Sequence, residues 1–250
     1  MFIDTHCHIF KEYYENIDEV INEMKNNIII VSGYNSSSNK EVIELINKHS
    51  NVYGTIGLHP EEVNNISDSD LDYIINNINN PKIVGIGEIG LDYHYTSDNK
   101  DLQKQLFIKQ MDIARKYNKT VVIHSRDAIL DTLNIIKKFS NLKIVMHCYS
   151  SSLEVAKELI KMNVKLGIGG VVTFKNGIKL KEVVQNIPIE NLLLETDSPY
   201  MSPEPFRGEK NRPYNCYFIA KKIAELKNIS LKDVLSITTS NAINQFDLKL

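Results

Sequence analysis

The segment TVVIHSRDA, residues 120–128, contains the pattern that decides the fold. Val121, Val122 and Ile123 are apolar without alternation, which is typical of a strand covered on both faces in a parallel sheet. The run ends at His124, and an amphipathic helical pattern follows over Asp127–Phe139. This order of a short buried strand and then a helix predicts one βα unit.

Seven further segments have the same strand character. They are Phe2–Thr5, Ile28–Val31, Val52–Gly57, Ile83–Gly87, Lys143–His147, Lys165–Gly169 and Leu192–Glu195. Helical patterns follow strands at Ser38–His49, Leu102–Tyr117, Ser152–Asn163, Lys179–Gln185 and Tyr214–Lys227. Eight such units in 250 residues predict a (β/α)8 TIM barrel, with a doubly wound open sheet as the alternative. No linker or repeat divides the chain, so we expect one domain over 1–250, closed by one or two extra helices in Leu231–Leu250.

Composition and charge restrict the class of protein. The net charge of −2 provides no global basic field, so a polyanionic substrate would need local groups or metal ions. The three cysteines, Cys7, Cys148 and Cys216, are far apart in sequence, which predicts free thiols in a reducing compartment. The sequence contains no signal-peptide pattern and no long apolar segment, so we expect a cytoplasmic protein without membrane contact.

Six ionisable residues lie where predicted strands end. They are His6, His8, Glu88, His124, His147 and Asp197. The carboxyl ends of barrel strands meet at one mouth, which is where the active sites of TIM barrels form. We therefore expect these six side chains to form the functional site.

His6 and His8 indicate what kind of site this is. Side chains two residues apart on a strand point the same way, so both imidazoles face one point. Two carboxylates and two further imidazoles are more ligands than one tetrahedral ion needs. The set instead predicts two divalent ions that share a carboxylate. Glu88 is the expected bridge because its long side chain rises from a glycine-rich strand end.

Each of these residues also has a structural interpretation. A single histidine after an apolar run is more often a hydrogen-bonded polar residue than a ligand, and an aspartate before Ser-Pro is more often a turn residue. The number of such residues favours the metal site, because four of the seven histidines lie at the ends of predicted strands. Of the others, His59 and His94 are candidates for substrate contact, and His49 is expected at a solvated helix end.

Six motifs, FIDTHCH, GLHP, GEIGLDY, IHSRDA, HCYS and ETDSPY, together resemble the signature blocks of TatD-like metal-dependent deoxyribonucleases of the amidohydrolase superfamily. The resemblance runs from residue 2 to about residue 245 in order and spacing. It implies two divalent ions (Mg, Mn or Zn), leaves a third open, and places His6, His8 and Asp197 on one ion and His124 and His147 on the other. Glu88 would bridge them. The implied activity is metal-dependent phosphodiester hydrolysis, typically 3′-to-5′ trimming of single-stranded DNA.

Several further residues are candidates for catalysis and for holding DNA. Glu88 and Asp197 are the expected catalytic residues, with Asp197 accepting a proton from the attacking water. Arg126 and Arg207 are the expected phosphate contacts, although Arg126 has an alternative salt bridge to Asp127. The motif PFRGEKNRPYN also resembles the family and adds Asn211 as a substrate contact. The aromatic candidates for stacking on a base are Tyr93, His94, Tyr149 and Phe206.

Two alternative functions remain at this point. The first is another hydrolase of the superfamily, acting on a small ester, amide or nucleotide. Many binuclear members of that kind bridge their metals with a carboxylated lysine at the end of strand four, where this chain has Glu88 and has Lys82 only at the start. The second is a non-catalytic barrel that binds metal, and a closed structural site would then be expected. We expect a monomer with no inferable protein partner.

Overall fold

The protein consists of eight parallel strands that alternate with helices along the chain. The computed structural model describes residues 1–94 and 98–249. The strands are β1 Ile3–Cys7, β2 Ile28–Ser32, β3 Val52–Ile56, β4 Ile83–Asp92, β5 Thr120–Arg126, β6 Ile144–Met146, β7 Lys165–Ile168 and β8 Leu192–Leu194. They form one eight-stranded sheet in the order β1 to β8. This sequential order confirms the (β/α)8 barrel over the doubly wound sheet, in which the strand order reverses.

Helices connect the strands, and one more helix follows the barrel. They are α1 Ile17–Asn22, α2 Ser36–Lys48, α3 Asp68–Asn77, α4 Lys100–Tyr117, α5 Ile129–Ile136, α6 Leu153–Lys161, α7 Ile178–Asn186, α8 Cys216–Lys227 and α9 Leu231–Phe246. The C-terminal stretch therefore forms one extra helix within the described residues, and Leu250 lies outside them. Among these residues, no helix combines the length and hydropathy needed to cross a membrane. The cysteines form no disulfide, as predicted.

The chain divides into two compact units. The first comprises 1–31 and 148–250, and the second comprises 32–147. In the first unit, β1 lies beside β8, and the Thr5 hydroxyl donates to the Leu194 carbonyl at 3.0 Å. In the second unit, β3, β4, β5 and β6 pair in parallel. A single domain over 1–250 stays a prediction.

Strands β1 to β4 are buried on both faces, as their sequences predicted. Every residue of β1, β2, β3 and β4 is buried. Ile29, Ile30 and Val31 of β2 are 0% exposed. Such strands require their polar side chains to be paired with other groups. The buried polar residues of β1 and β4 must therefore be paired with other groups.

Strand β4 extends five residues beyond its predicted end at Gly87. Its pairing with β5 shifts register between Ile86 and Ile89 and then continues, with Gly90 opposite His124 and Asp92 opposite Arg126. Gly90 has a φ of 143°, a conformation that other residues rarely adopt. The extension places both Glu88 and Asp92 inside the strand that lies beside His124.

Candidate metal centre

The first unit contains a cluster of two histidines and an aspartate, which we call the first cluster: His6, His8 and Asp197. The two imidazoles point the same way from β1, and their Nε2 atoms are 3.2 Å apart. The Asp197 Oδ1 atom lies 3.8 Å from His6 Nε2 and 3.4 Å from His8 Nε2. His6 is 0% and His8 5% exposed. The structure thus brings together the three residues expected to hold one ion.

These separations fit a metal ion. Two ligand atoms about 2.1 Å from one ion, at angles between octahedral and tetrahedral, lie about 3.0–3.4 Å apart. The His6–His8 and His8–Asp197 distances fall in this range, and the His6–Asp197 distance of 3.8 Å exceeds it by a few tenths of an ångström. Two imidazole nitrogens with one carboxylate form a donor set suited to Zn²⁺, Mn²⁺ and related ions. The residues present therefore fit a divalent cation.

A buried carboxylate, Asp4, fixes the backbone of this cluster. Thr196 donates its backbone N–H to Asp4 Oδ1 at 3.0 Å and its hydroxyl to Asp4 Oδ2 at 2.5 Å. The His6 N–H also points to Asp4 Oδ1, at 3.3 Å. Burial raises the pKa of Asp4 well above its usual range, although the bonds from Thr196 act in the opposite direction. Asp4 thereby connects the strand that carries His6 to the loop that carries Asp197.

The second unit contains the second cluster: Glu88, His124 and His147, with His59 at its edge. The Glu88 Oε1 atom lies 2.9 Å from His124 Nδ1 and 3.3 Å from His147 Nε2. His59 Nε2 is 3.6 Å from the same oxygen. Glu88 is 4% and His147 5% exposed. The strands that end at these residues are neighbours in the sheet, which explains why their side chains converge.

Asp92, which was not among the predicted site residues, holds His124 from the other side. Its Oδ2 atom lies 2.9 Å from His124 Nε2. Gln103 fixes the backbone of Asp92 by accepting from its N–H at 2.9 Å and donating to its carbonyl at 2.8 Å. The His94 N–H donates to Asp92 Oδ1 at 2.8 Å. A carboxylate on the far nitrogen of a ligating histidine fixes the tautomer and the ring orientation, and this leaves Nδ1 of His124 to face Glu88.

The environment of His124 changes its protonation. Burial by itself lowers the pKa of the ring, but hydrogen bonds to Asp92 and Glu88 and the charge of Glu88 outweigh it and raise the pKa to about 9. Without a cation the ring is therefore protonated at neutral pH and lies between two carboxylates. A divalent ion at Nδ1 would take the place of that proton.

We expect the metal-free protein to become less stable as pH rises from 7 to 10, because the His124 ring loses this proton. Because the folded pKa of about 9 lies above the unfolded value of about 6.5, the contribution is complete below about pH 6.5 and is lost through about pH 9. Urea unfolding in EDTA measures the effect as the difference between wild type and His124→Gln. That difference should shrink with rising pH, and a difference that grows would contradict the assignment.

We expect Asp92→Asn to weaken metal binding at the second cluster by about 10–100-fold, because His124 loses the charged acceptor that orients its ring. Calorimetric titration with Mn²⁺ measures both clusters, and binding at the first cluster should not change. Asp127→Asn is the matched control, because the Asp127 side chain is 65% exposed and pairs with His94 Nδ1 at 3.0 Å. Unchanged affinity in Asp92→Asn would contradict the role of Asp92.

The expected substrate contacts of the second unit lie at the end of β5. Arg126 is exposed, and its carbonyl accepts from the Tyr93 N–H at 3.0 Å. Asp127, its alternative partner, pairs with His94. The Tyr93 hydroxyl donates to Asp131 at 2.8 Å. The roles of Arg126 and His94 in substrate binding stay predictions.

The residues of the first unit that are expected to contact substrate differ in their exposure to solvent. Arg207 is exposed, with its guanidinium 4.1 Å from the centre of the Phe174 ring. Asn211 is 0% exposed, and its amide donates to the carbonyls of Thr196 at 2.9 Å and Tyr200 at 2.7 Å. Contacts with substrate stay predictions for both, but the position of Asn211 indicates that it holds the loop after β8.

Comparisons with known proteins agree with this fold. Residues 3–247 match the family described as TatD related DNase. A relative from Bacillus subtilis strain 168, named the uncharacterized metal-dependent hydrolase YabD, is 40% identical over 98% of this chain and 99% of its own. The crystal structure of YJJV, a TatD homolog from Escherichia coli K12, has a TM-score of 0.92 at 28% identity, covering 99% of this chain and 98% of that one. A hydrolase TatD family protein from Entamoeba histolytica has a TM-score of 0.86 at 27% identity, over 98% and 97%. The chain therefore belongs to the family of TatD-related DNases and is a metal-dependent hydrolase of that type.

Proposed function

We propose that this protein hydrolyses phosphodiester bonds of DNA with the help of divalent metal ions, trimming single strands from the 3′ end. The observation that carries the proposal is the pair of buried clusters at the carboxyl ends of the strands, each with histidine nitrogens and a carboxylate at ligand-to-ligand distances. The family match supports DNA as the substrate. A monomer in the cytoplasm is part of the proposal.

The chain offers one set of ligands in each unit. His6, His8 and Asp197 would hold one ion. Glu88, with His124 and His147 each within 3.3 Å of its Oε1 atom, would hold another. That Glu88 ligates both ions, and that the ions are Mg²⁺, Mn²⁺ or Zn²⁺, are parts of the proposal that come from the resemblance. Bound divalent ions lower the pKa of a water and neutralise charge that develops on the phosphate.

Asp197 is the residue we assign to proton transfer. Its side chain is 13% exposed, so its carboxylate can reach both the first cluster and solvent. Its backbone is fixed, because its N–H donates to the His6 carbonyl at 3.0 Å and its own carbonyl accepts from Tyr200 N–H at 2.9 Å. A carboxylate held in this way can orient a water and accept its proton.

His59 binds substrate as a hydrogen-bond donor in this proposal. The Glu61 N–H donates to His59 Nδ1 at 3.3 Å, so the neutral ring carries its proton on Nε2. That nitrogen faces Glu88 Oε1. A protonated Nε2 cannot ligate a cation, but it can donate to Glu88 or to a phosphate oxygen beside it.

The position of Lys82 supports the nuclease over hydrolases that use a carboxylated lysine. Its ammonium donates to the carbonyl of Ile46 at 2.7 Å and also to that of His49. These groups lie at the C-terminal end of α2, and Lys82 precedes β4. The lysine is therefore engaged at the amino end of the strand, and Glu88 is the carboxylate available at the other end.

Digestion of a 5′-labelled single-stranded oligonucleotide tests the proposal. With Mg²⁺ or Mn²⁺ we expect a ladder that shortens from the 3′ end, and we expect no ladder with EDTA. An oligoribonucleotide and a small chromogenic phosphodiester run in parallel test the substrate class. Hydrolysis of a small ester or amide by metal-loaded protein that leaves DNA intact would refute the proposal.

A further inference from the structure

A group of aromatic rings lies beside the first cluster, and we call it the rim aromatics: Phe10, Tyr13 and Tyr200. Tyr13 and Tyr200 meet edge to face with ring centres 5.8 Å apart, and Phe10 lies 6.5 Å from Tyr13. The group contacts the first cluster through His8, whose ring centre is 6.0 Å from Phe10 and 6.4 Å from Tyr200. The rings thus extend from the buried histidine towards the surface.

Exposure increases along this group. Phe10 is 1% exposed, Tyr13 is half-buried, and Tyr200 is 49% exposed. The next residue, Met201, is 45% exposed. A large aromatic surface open to solvent next to a functional cluster marks a place where a ligand can bury it.

The exposed ring is held in place by its surroundings. The Tyr200 N–H donates to the Asp197 carbonyl at 2.9 Å, and the Tyr200 carbonyl accepts from the buried Asn211 amide at 2.7 Å. The Tyr200 hydroxyl donates to the Tyr13 hydroxyl at 3.0 Å. A ring fixed at its backbone and at its tip loses little conformational entropy when a ligand stacks on it.

Two of the aromatic residues expected to stack from sequence, Tyr149 and Phe206, are less suited to this role. In the first unit, Tyr149 is 3% exposed and its hydroxyl donates to the Ser152 carbonyl at 2.6 Å. Phe206 packs edge to face on Phe218 with ring centres 4.9 Å apart. Tyr200 combines exposure, fixed orientation and contact with a residue of the first cluster.

We propose that Tyr200, supported by Tyr13, is the platform on which the 3′-terminal nucleobase, next to the scissile phosphodiester, stacks. The inference rests on the proposed function and names a base-binding subsite for it. Every base offers an aromatic face, so this subsite accepts any sequence and suits an enzyme that trims one nucleotide after another. The tyrosine hydroxyl stays bonded to Tyr13 and takes no part in proton transfer.

Kinetics of Tyr200→Ala on two oligonucleotides test the platform. One substrate has a normal 3′-terminal nucleotide, and the other has an abasic residue there. We expect Tyr200→Ala to lower kcat/KM on the normal substrate by about 5- to 150-fold, mainly through KM, and to change little on the abasic one. Tyr200→Phe should retain activity on both, because it keeps the ring.

Tyr214→Ala is the matched control. Tyr214 is 43% exposed in the same unit but contacts Phe2 and Tyr217 and no residue of the first cluster. The Tyr214→Ala variant should cleave both substrates like wild type. Equal losses of Tyr200→Ala on the normal and abasic substrates, or no loss on either, would overturn the platform while wild-type cleavage leaves the nuclease in place. A wild type that cleaves neither oligonucleotide would refute the nuclease and the platform together.

Discussion

Asp197→Asn should lower kcat/KM on DNA by about a thousandfold or more in protein that remains folded. The Asp197 carboxylate lies 3.4 Å from His8 Nε2 and is assigned both a metal contact and the proton transfer. A metal site contributes several kcal/mol to the stabilisation of the transition state, and each 1.36 kcal/mol is about tenfold in rate. The amide keeps the shape of the side chain but loses its charge.

Backbone strain does not confound this variant. Asp197 has a φ of 53°, and asparagine tolerates the left-handed conformation as aspartate does. Asp247→Asn is the matched control, because Asp247 has a φ of 50° at the end of α9 and belongs to neither cluster. Steady-state kinetics and circular dichroism on both variants measure the effect. Wild-type turnover by Asp197→Asn would show that another group accepts the proton.

Gly90→Ala is expected to cost about 2–6 kcal/mol of the free energy of unfolding. A Cβ atom at Gly90 would lie 2.0 Å from the His124 carbonyl oxygen, and the φ of 143° is strained for any other residue. The strain and the overpacking each cost about 1–3 kcal/mol. Because the clash falls on His124, the variant should also bind metal more weakly at the second cluster.

Two other glycines distinguish the cost of backbone strain from the cost of overpacking. Gly208 has a φ of 92°, and a Cβ atom added there would meet no atom within 4 Å, so Gly208→Ala measures conformational strain alone. At Gly169 the nearest atom would be 3.8 Å away, so Gly169→Ala should be close to neutral. Urea unfolding gives all three values. A Gly90→Ala protein as stable as Gly208→Ala would show that β4 and β5 can separate at little cost.

The residues whose convergence was predicted from sequence share a simple geometric rule, and their roles as ligands stay predictions. His6 and His8 lie two apart on a strand, so their common direction follows from strand geometry alone. His124 and His147 each close an apolar run, so only the strand order was needed to bring them near Glu88. The unbroken apolar character of these runs predicted the barrel, because a strand that is covered on both faces needs apolar residues on both.

The residues that were missed depend on details that periodicity does not contain. The predicted fourth strand ended at Gly87 and so did not reach Asp92, because the glycines of GIGEIG give no sign of the register shift that carries β4 on to residue 92. Asp4 lies two residues before His6, and its direction was predictable, but its partner Thr196 is 192 residues away. Tyr200 depends on the path of the loop after β8, where the buried amide of Asn211 fixes it.

A crystal structure of the protein soaked with Zn²⁺ and measured at the zinc absorption edge tests the central claim most directly. The claim predicts one anomalous peak within about 2.0–2.2 Å of the ligand atoms of His6, His8 and Asp197, and another at the same distances from Glu88, His124 and His147. Zinc bound only elsewhere, in crystals of protein that cleaves DNA with this metal, would contradict the assignment of the two clusters as the catalytic centre.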